Sequence, residues 1–132
     1  VNFNALSLFW VALGGAAGSV LRYLIATLVQ SQSSSGFPFG TLTVNVIGCL
    51  IIGLFVGLSM TKPDSMGSTS RLLLATGFCG GFTTFSAFSA ETIALLDKGD
   101  IMTAVLYVAV SVGIGLLATL FGILLARSVI TV

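Results

Sequence analysis

The polar residues of this chain sit inside apolar runs, where each costs free energy unless it is used. One segment reads Thr76-Gly77-Phe78-Cys79-Gly80-Gly81-Phe82-Thr83-Thr84-Phe85-Ser86-Ala87-Phe88-Ser89-Ala90-Glu91. Phe82, Phe85 and Phe88 recur every third residue, with Ser86 and Ser89 beside the rings. Phe rings have a positive edge, so edges turned into a narrow path can face an anion. Without the hydroxyls, the same stripe would read as core packing or lipid contact. Further on, Tyr107, Ser111, Gly115 and Thr119 fall four apart, a stripe covering about 18 Å of helix rise. Hydroxyls at that spacing line a path or bond their own helix carbonyls. Asn45 is an amide deep in an apolar run, a donor that must find a partner. Arg22 is the lone charge of its run and Glu91 lies near the end of its own. Both are functional candidates, or side chains that snorkel to an interface. The residues alone argue for a narrow polar and aromatic path. No His is present, and Cys49 and Cys79 form no Cys-x-x-Cys pair; they read as buried small hydrophobes rather than metal or redox ligands.

Gly77, Gly80 and Gly81 followed by Thr83-Thr84 make poor helix sequence. The pattern predicts a helix break at about mid-membrane depth. Broken backbone survives there only when buried in protein or lining a wet cavity, and it frees carbonyls that can bind a cation. The alternative is a continuous helix whose small residues only pack.

Composition names the elements that must position these groups. Nine of 132 residues are charged, or 7%, against roughly 25% in a soluble domain. The hydrophobic fraction is 56%. These values exclude a soluble globule, a disordered chain and a nucleic-acid binder, which needs a basic patch. They also argue against soluble enzyme chemistry. The chain reads as one all-α, multi-pass membrane domain over 1–132. Residues 1–21, 23–61, 72–90 and 101–126 carry no charge. Cutting the second run at the polar stretch Gln30-Ser31-Gln32-Ser33-Ser34-Ser35-Gly36-Phe37-Pro38 predicts four spans, 5–28, 39–60, 71–95 and 101–126. The connectors are 29–38, 61–70 and 96–100. The second holds Lys62-Pro63-Asp64-Ser65-Met66-Gly67-Ser68 and the third Leu96-Asp97-Lys98-Gly99-Asp100, both turn-forming and charged. The first apolar stretch lacks a basic leader and is too long for a signal peptide, so it reads as a permanent span. Residue 1 is Val, which suggests a trimmed or renumbered start.

With four spans, both ends and the 61–70 connector share one side. That side holds Lys62, Arg71 and Arg127, and the other holds Lys98 and Arg22. So small a bias scarcely orients the chain. It is compatible with one fixed orientation or with dual topology, in which the chain pairs with an inverted copy. Gly14-Gly15-Ala16-Ala17-Gly18 and the pair Gly53 and Gly57 allow close backbone approach in lipid, which favours a tightly packed homo-oligomer.

Three stretches carry a resemblance over nearly the whole chain. They are Gly14-Gly15-Ala16-Ala17-Gly18 with Arg22, then Gly40-Thr41-Leu42-Thr43-Val44-Asn45-Val46-Ile47-Gly48, then Gly77 through Glu91 as quoted above. The last is the most specific. The chain resembles the Fluc (CrcB) family of small fluoride channels. The resemblance implies passive fluoride export, and so fluoride resistance, through two pores of an antiparallel, dual-topology homodimer in the cell (inner) membrane. A structural sodium ion would sit at the dimer centre. Carried over, Phe85 and Phe88 correspond to the paired pore phenylalanines and Asn45 to the pore-lining amide. Ser86, Ser89, Ser111 and Thr119 correspond to hydroxyls along the pore, with Tyr107 near one end. Arg22 corresponds to the arginine of the aqueous vestibule, and Gly80 and Thr83 to the residues whose carbonyls hold sodium. Two positions depart from the family pattern: Ala87 stands where many members have Thr, and Gly115 where many have a hydroxyl. Both shorten the polar track.

The physical account is compatible with that resemblance. Fluoride is small and strongly hydrated, so a pore must replace its water with many weak donors. Hydroxyls, an amide and ring edges do this without a fixed cationic ligand that would hold the ion too long. A central cation would offset the cost of an anion in low dielectric. The selection of fluoride over chloride is implied by the resemblance alone. Two other classes compete. A proton-coupled four-helix multidrug exporter places a carboxylate inside its first span, and none is present there. A non-transporting assembly subunit would have no use for polar groups at mid-span.

Overall fold

The computed structural model describes residues 4–62 and 67–130. Residues 63–66 of the expected second connector lie outside the described residues, as does Val1. Among the described residues the chain is all helical, with four segments long and apolar enough to cross a membrane. Helix α1 spans Ala5–Ser31 and α2 spans Phe39–Thr61. Helix α3 covers 68–82, in three pieces: Ser68–Ser70, the wider π-helical winding Arg71–Cys79, and Gly80–Phe82. Helix α4 spans Phe85–Asp97 and α5 spans Ile101–Ile130. Together α3 and α4 form the third span, Ser68–Asp97. The helices overrun the expected spans by four residues at most (130 against 126), because polar residues at helix ends extend a helix as well as apolar ones do.

Each end has a local cause. Asn4 caps α1 through Oδ1, which accepts from the Leu6 N–H at 3.0 Å. Gln30 fastens the α1–α2 connector at two points: Nε2 donates to the Phe37 carbonyl and Oε1 accepts from the Gly40 N–H. Helix α4 stops at Gly99, whose φ of 77° is the left-handed conformation that ends helices. There the Gly99 and Asp100 N–H groups return to the Leu96 and Leu95 carbonyls.

The third span breaks within the predicted stretch, at its Thr83-Thr84 end. Gly80 is helical (φ −63°, ψ −38°), whereas Thr83 (−92°, 159°) and Thr84 (−150°, 116°) are extended. The threonines are suited to this. Thr83 Oγ1 donates to the Cys79 carbonyl at 2.9 Å, and Thr84 Oγ1 accepts from the Ala87 N–H at 3.1 Å, capping α4. The π-helical winding upstream had no signal in the residue pattern.

The glycines serve close approach instead. The most extensive pairings are α2 with α5 and α1 with α3. A Cβ on Gly14 would overlap the Leu73 carbonyl oxygen and lie 2.9 Å from the Phe78 nitrogen. One on Gly81 would lie 3.0 Å from Gly15 Cα, and one on Gly57 2.6 Å from the Ile123 carbonyl oxygen. Both small-residue faces therefore pack the chain on itself and carry no information about oligomers. Gly14→Ala is expected to destabilise the fold by roughly 1–3 kcal/mol through overpacking. Gly15→Ala is the control, since its Cβ would meet only the Gly77 carbonyl oxygen at 3.8 Å. Thermal unfolding in detergent should separate the two; equal melting temperatures would contradict the close α1–α3 contact.

Candidate functional site

The break is held from two sides. From α2, the Asn45 amide brackets Thr84: Nδ2 donates to the Thr84 carbonyl at 3.1 Å, and Oδ1 accepts from the Thr84 N–H at 2.8 Å. From α1, Arg22 Nε donates to the Gly81 carbonyl at 3.0 Å, with Ser19 Oγ at 3.4 Å from the same oxygen. The Thr84 N–H, which a continuous helix would give to the Gly80 carbonyl, goes to Asn45, and the Ala87 N–H, which it would give to the Thr83 carbonyl, goes to Thr84 Oγ1. Gly48 makes room for the break, since a Cβ there would collide with the Thr83 methyl.

Beside the break lies an open cavity of about 440 Å³. Asn45, Gly80, Thr83, Phe85, Phe88 and Ser111 all line it. Residues from α2, α3, α4 and α5 thus converge, which spans of sequence 66 positions apart (45 to 111) could not reveal on their own. Phe85 and Phe88 stand with ring centroids 5.7 Å apart at 45°. Phe85 is 80% exposed, at mid-span on the outer surface of the chain. Phe88 continues inward to Tyr107, at 5.1 Å.

The other predicted residues lie off this cavity. Tyr107 is fully buried and its hydroxyl donates to Glu91 Oε2 at 2.6 Å. Ser89 and Thr119 donate to the carbonyls of Phe85 and Gly115, at 2.9 and 3.0 Å. They must rotate before either can donate to an ion. Ser86 Oγ lies 3.2 Å from Thr84 Oγ1 on the exposed face. Arg22 lines neither this cavity nor a second one of about 610 Å³; its guanidinium is turned to the Gly81 carbonyl, just before the break.

The sequence reading left the role of Glu91 open and passed over Thr41. Thr41 Oγ1 donates to Glu91 Oε1 at 2.7 Å, so the carboxylate takes a hydroxyl on each oxygen. Thr41 and Glu91 share the wall of the second cavity with Gln30. Fifty residues separate Thr41 from Glu91, and no local pattern joins them.

Fold and site define a small polytopic membrane protein with an unwound segment at mid-span, facing a cavity of hydroxyls, an amide and ring edges. Residues 9–123 match the family model described as CrcB-like protein, Camphor Resistance (CrcB), and the chain belongs to that family. It is 45% identical over 121 residues to the fluoride-specific ion channel FluC of Flavobacterium psychrophilum, covering 92% of this chain and 97% of that protein. The FluC of Rhizobium johnstonii is 48% identical over 118 residues, covering 89% and 94%. The FluC of Phocaeicola vulgatus is 43% identical over 117 residues, covering 89% and 95%.

Proposed function

We propose that this protein is a fluoride-selective channel giving passive fluoride export across the cell (inner) membrane, and so fluoride resistance. The observation that carries this reading is the cavity where Asn45, Ser111, Phe85 and Phe88 converge, in a chain 45% identical to a fluoride-specific ion channel over nearly its full length. The site offers donors and positive ring edges with no Lys or Arg side chain among its described lining residues, which suits an anion that must leave as readily as it enters. A proton-coupled exporter is not favoured, because α1 contains no Asp or Glu. The test is ion release from liposomes holding the purified protein. Fluoride should leave passively, in step with a counterion. Proton-coupled drug exchange would indicate the exporter, and no flux the assembly subunit.

The working unit is an antiparallel, dual-topology homodimer with two pores. Phe85, Ser86 and Gly80 are exposed on the single chain, beside two carbonyls whose helical donors are turned elsewhere. Polar backbone open to lipid costs several kcal/mol per group, so a second copy over this face is the economical solution. Cysteines placed in the 61–70 connector should label from both sides of the membrane; labelling from one side removes the inverted pair.

A structural sodium ion at the dimer centre would be held by the Gly80 and Thr83 carbonyls. The fit is supported by the Thr84 and Ala87 N–H groups, the helical donors to those carbonyls, being turned to Asn45 and Thr84 Oγ1 instead. A bound hard cation supplies positive charge near the anion path and satisfies backbone oxygens. Each chain provides two carbonyls, and its copy two more. Because the ligands are backbone, Thr83→Ser should keep the ion, while a bulky residue at Gly80 should disrupt the dimer. Ion-replacement crystallography with no density on the two-fold axis would overturn this assignment and leave the pore residues standing.

A further inference from the structure

The polar stripe on α5 runs Tyr107, Ser111, Gly115, Thr119, and its third position has no side chain. The structure fills that gap from α2. Among the described residues of other elements, a Cβ built on Gly115 would meet Cys49 Sγ at 3.5 Å and nothing else within 4 Å. The sulfur therefore lies where a side chain at 115 would point. Cys49 follows Asn45 by one helical turn, and both line the cavity beside the break, whereas Gly115 does not. One turn before Gly115, Ser111 Oγ is buried in the wall of the same cavity with no hydrogen-bond partner. A thiol and an unpartnered hydroxyl thus flank one space.

We infer that Cys49 lines the fluoride path, its S–H donating to the ion at the point where Gly115 has nothing to offer. This rests on the channel reading above. A thiol is a weak donor, which suits an ion that must move on. The chain therefore continues the polar track from Asn45 and Ser111 to Cys49 by drawing one member from a different helix. A cysteine serving only as filler would need no unpartnered hydroxyl beside it.

The experiment compares fluoride efflux from liposomes holding wild-type protein, Cys49→Ala, Cys49→Ser, and Cys49→Ala combined with Gly115→Ser. One hydrogen bond to a charged group is worth about tenfold in rate, so Cys49→Ala should slow efflux by about that factor. Cys49→Ser should conduct near the wild-type rate. The double variant should recover most of the loss, since only the sulfur stands near a Cβ at 115. On the native protein, 2-sulfonatoethyl methanethiosulfonate, a water-soluble anionic thiol reagent, should label Cys49 and arrest efflux. Fluoride should slow that labelling, and Cys79, which is buried, should react more slowly. Wild-type efflux from a folded Cys49→Ala variant would overturn the inference. So would a slow variant that neither serine restores, or labelling of Cys49 that leaves efflux unchanged. Liposomes of wild-type protein that release no fluoride would remove the channel reading itself, a result distinct from any difference between variants.

Discussion

Phe88→Ile should cut fluoride efflux by roughly ten- to a hundredfold, the equivalent of one or two lost contacts to an anion that has left its water behind. Ile keeps most of the apolar volume but has no positive ring edge. Phe88 lines the cavity and also packs on the cluster of Leu95, Ala104 and Tyr107, so a packing defect could mimic the effect. Phe85→Ile separates the two causes. Phe85 is 80% exposed, so this chain's core does not depend on it. Among the described residues its ring contact is with Phe88. Matching losses of flux, with melting temperatures and elution profiles unchanged, would assign both rings to the ion. Unchanged flux in folded Phe88→Ile would assign that ring to packing.

Asn45→Asp should be the most damaging single substitution at the cavity. The resemblance alone suggests one cause, an added anion that repels fluoride. The structure adds another. Asn45 both donates to and accepts from the Thr84 backbone, at 3.1 and 2.8 Å. A carboxylate keeps the acceptor, but turns its second oxygen against the Thr84 carbonyl. Losing that bond beside an unpaired, half-buried charge costs roughly 3 kcal/mol, and the extended conformation at Thr83-Thr84 loses its clamp. Flux should fall to background, and the unfolding temperature should fall with it. Asn45→Ala removes the clamp without adding charge. It should lower stability by a smaller amount and keep measurable flux. If Asn45→Asp melts and conducts as the wild type does, both the clamp and the pore role of Asn45 fail.

Much of the architecture was legible because lipid is a simple solvent. A membrane span must be long, apolar and helical, so the charges and the uncharged polar stretch Gln30–Pro38 together delimited four spans to within four residues at any end. The break was legible too, since Gly80-Gly81 and Thr83-Thr84 oppose helix formation locally. Which end of that stretch unwinds was not. Gly80 and Gly81 stay helical, and Gly81 instead lets α1 approach closely. The threonines carry the break because Asn45 and their own hydroxyls satisfy the polar groups that it exposes. Similarly, the glycine faces of α1 and α2 signalled close contact without naming the partner. That partner is another helix of the same chain in each case.

The sequence by itself determined that this chain is a four-span membrane protein, with polar groups and ring edges gathered at mid-depth in the third and fourth spans. Hydrophobicity and helix propensity are local properties, and they are read residue by residue. Only the tertiary structure decided which of those groups meet. It brought Asn45 to Thr84, Arg22 to the Gly81 carbonyl, Thr41 and Tyr107 to Glu91, and Cys49 into the gap at Gly115. Each of these pairings depends on the rotation and register of one helix against another. Those are set by the sum of many backbone approaches at glycines, and no single stretch of sequence contains that sum.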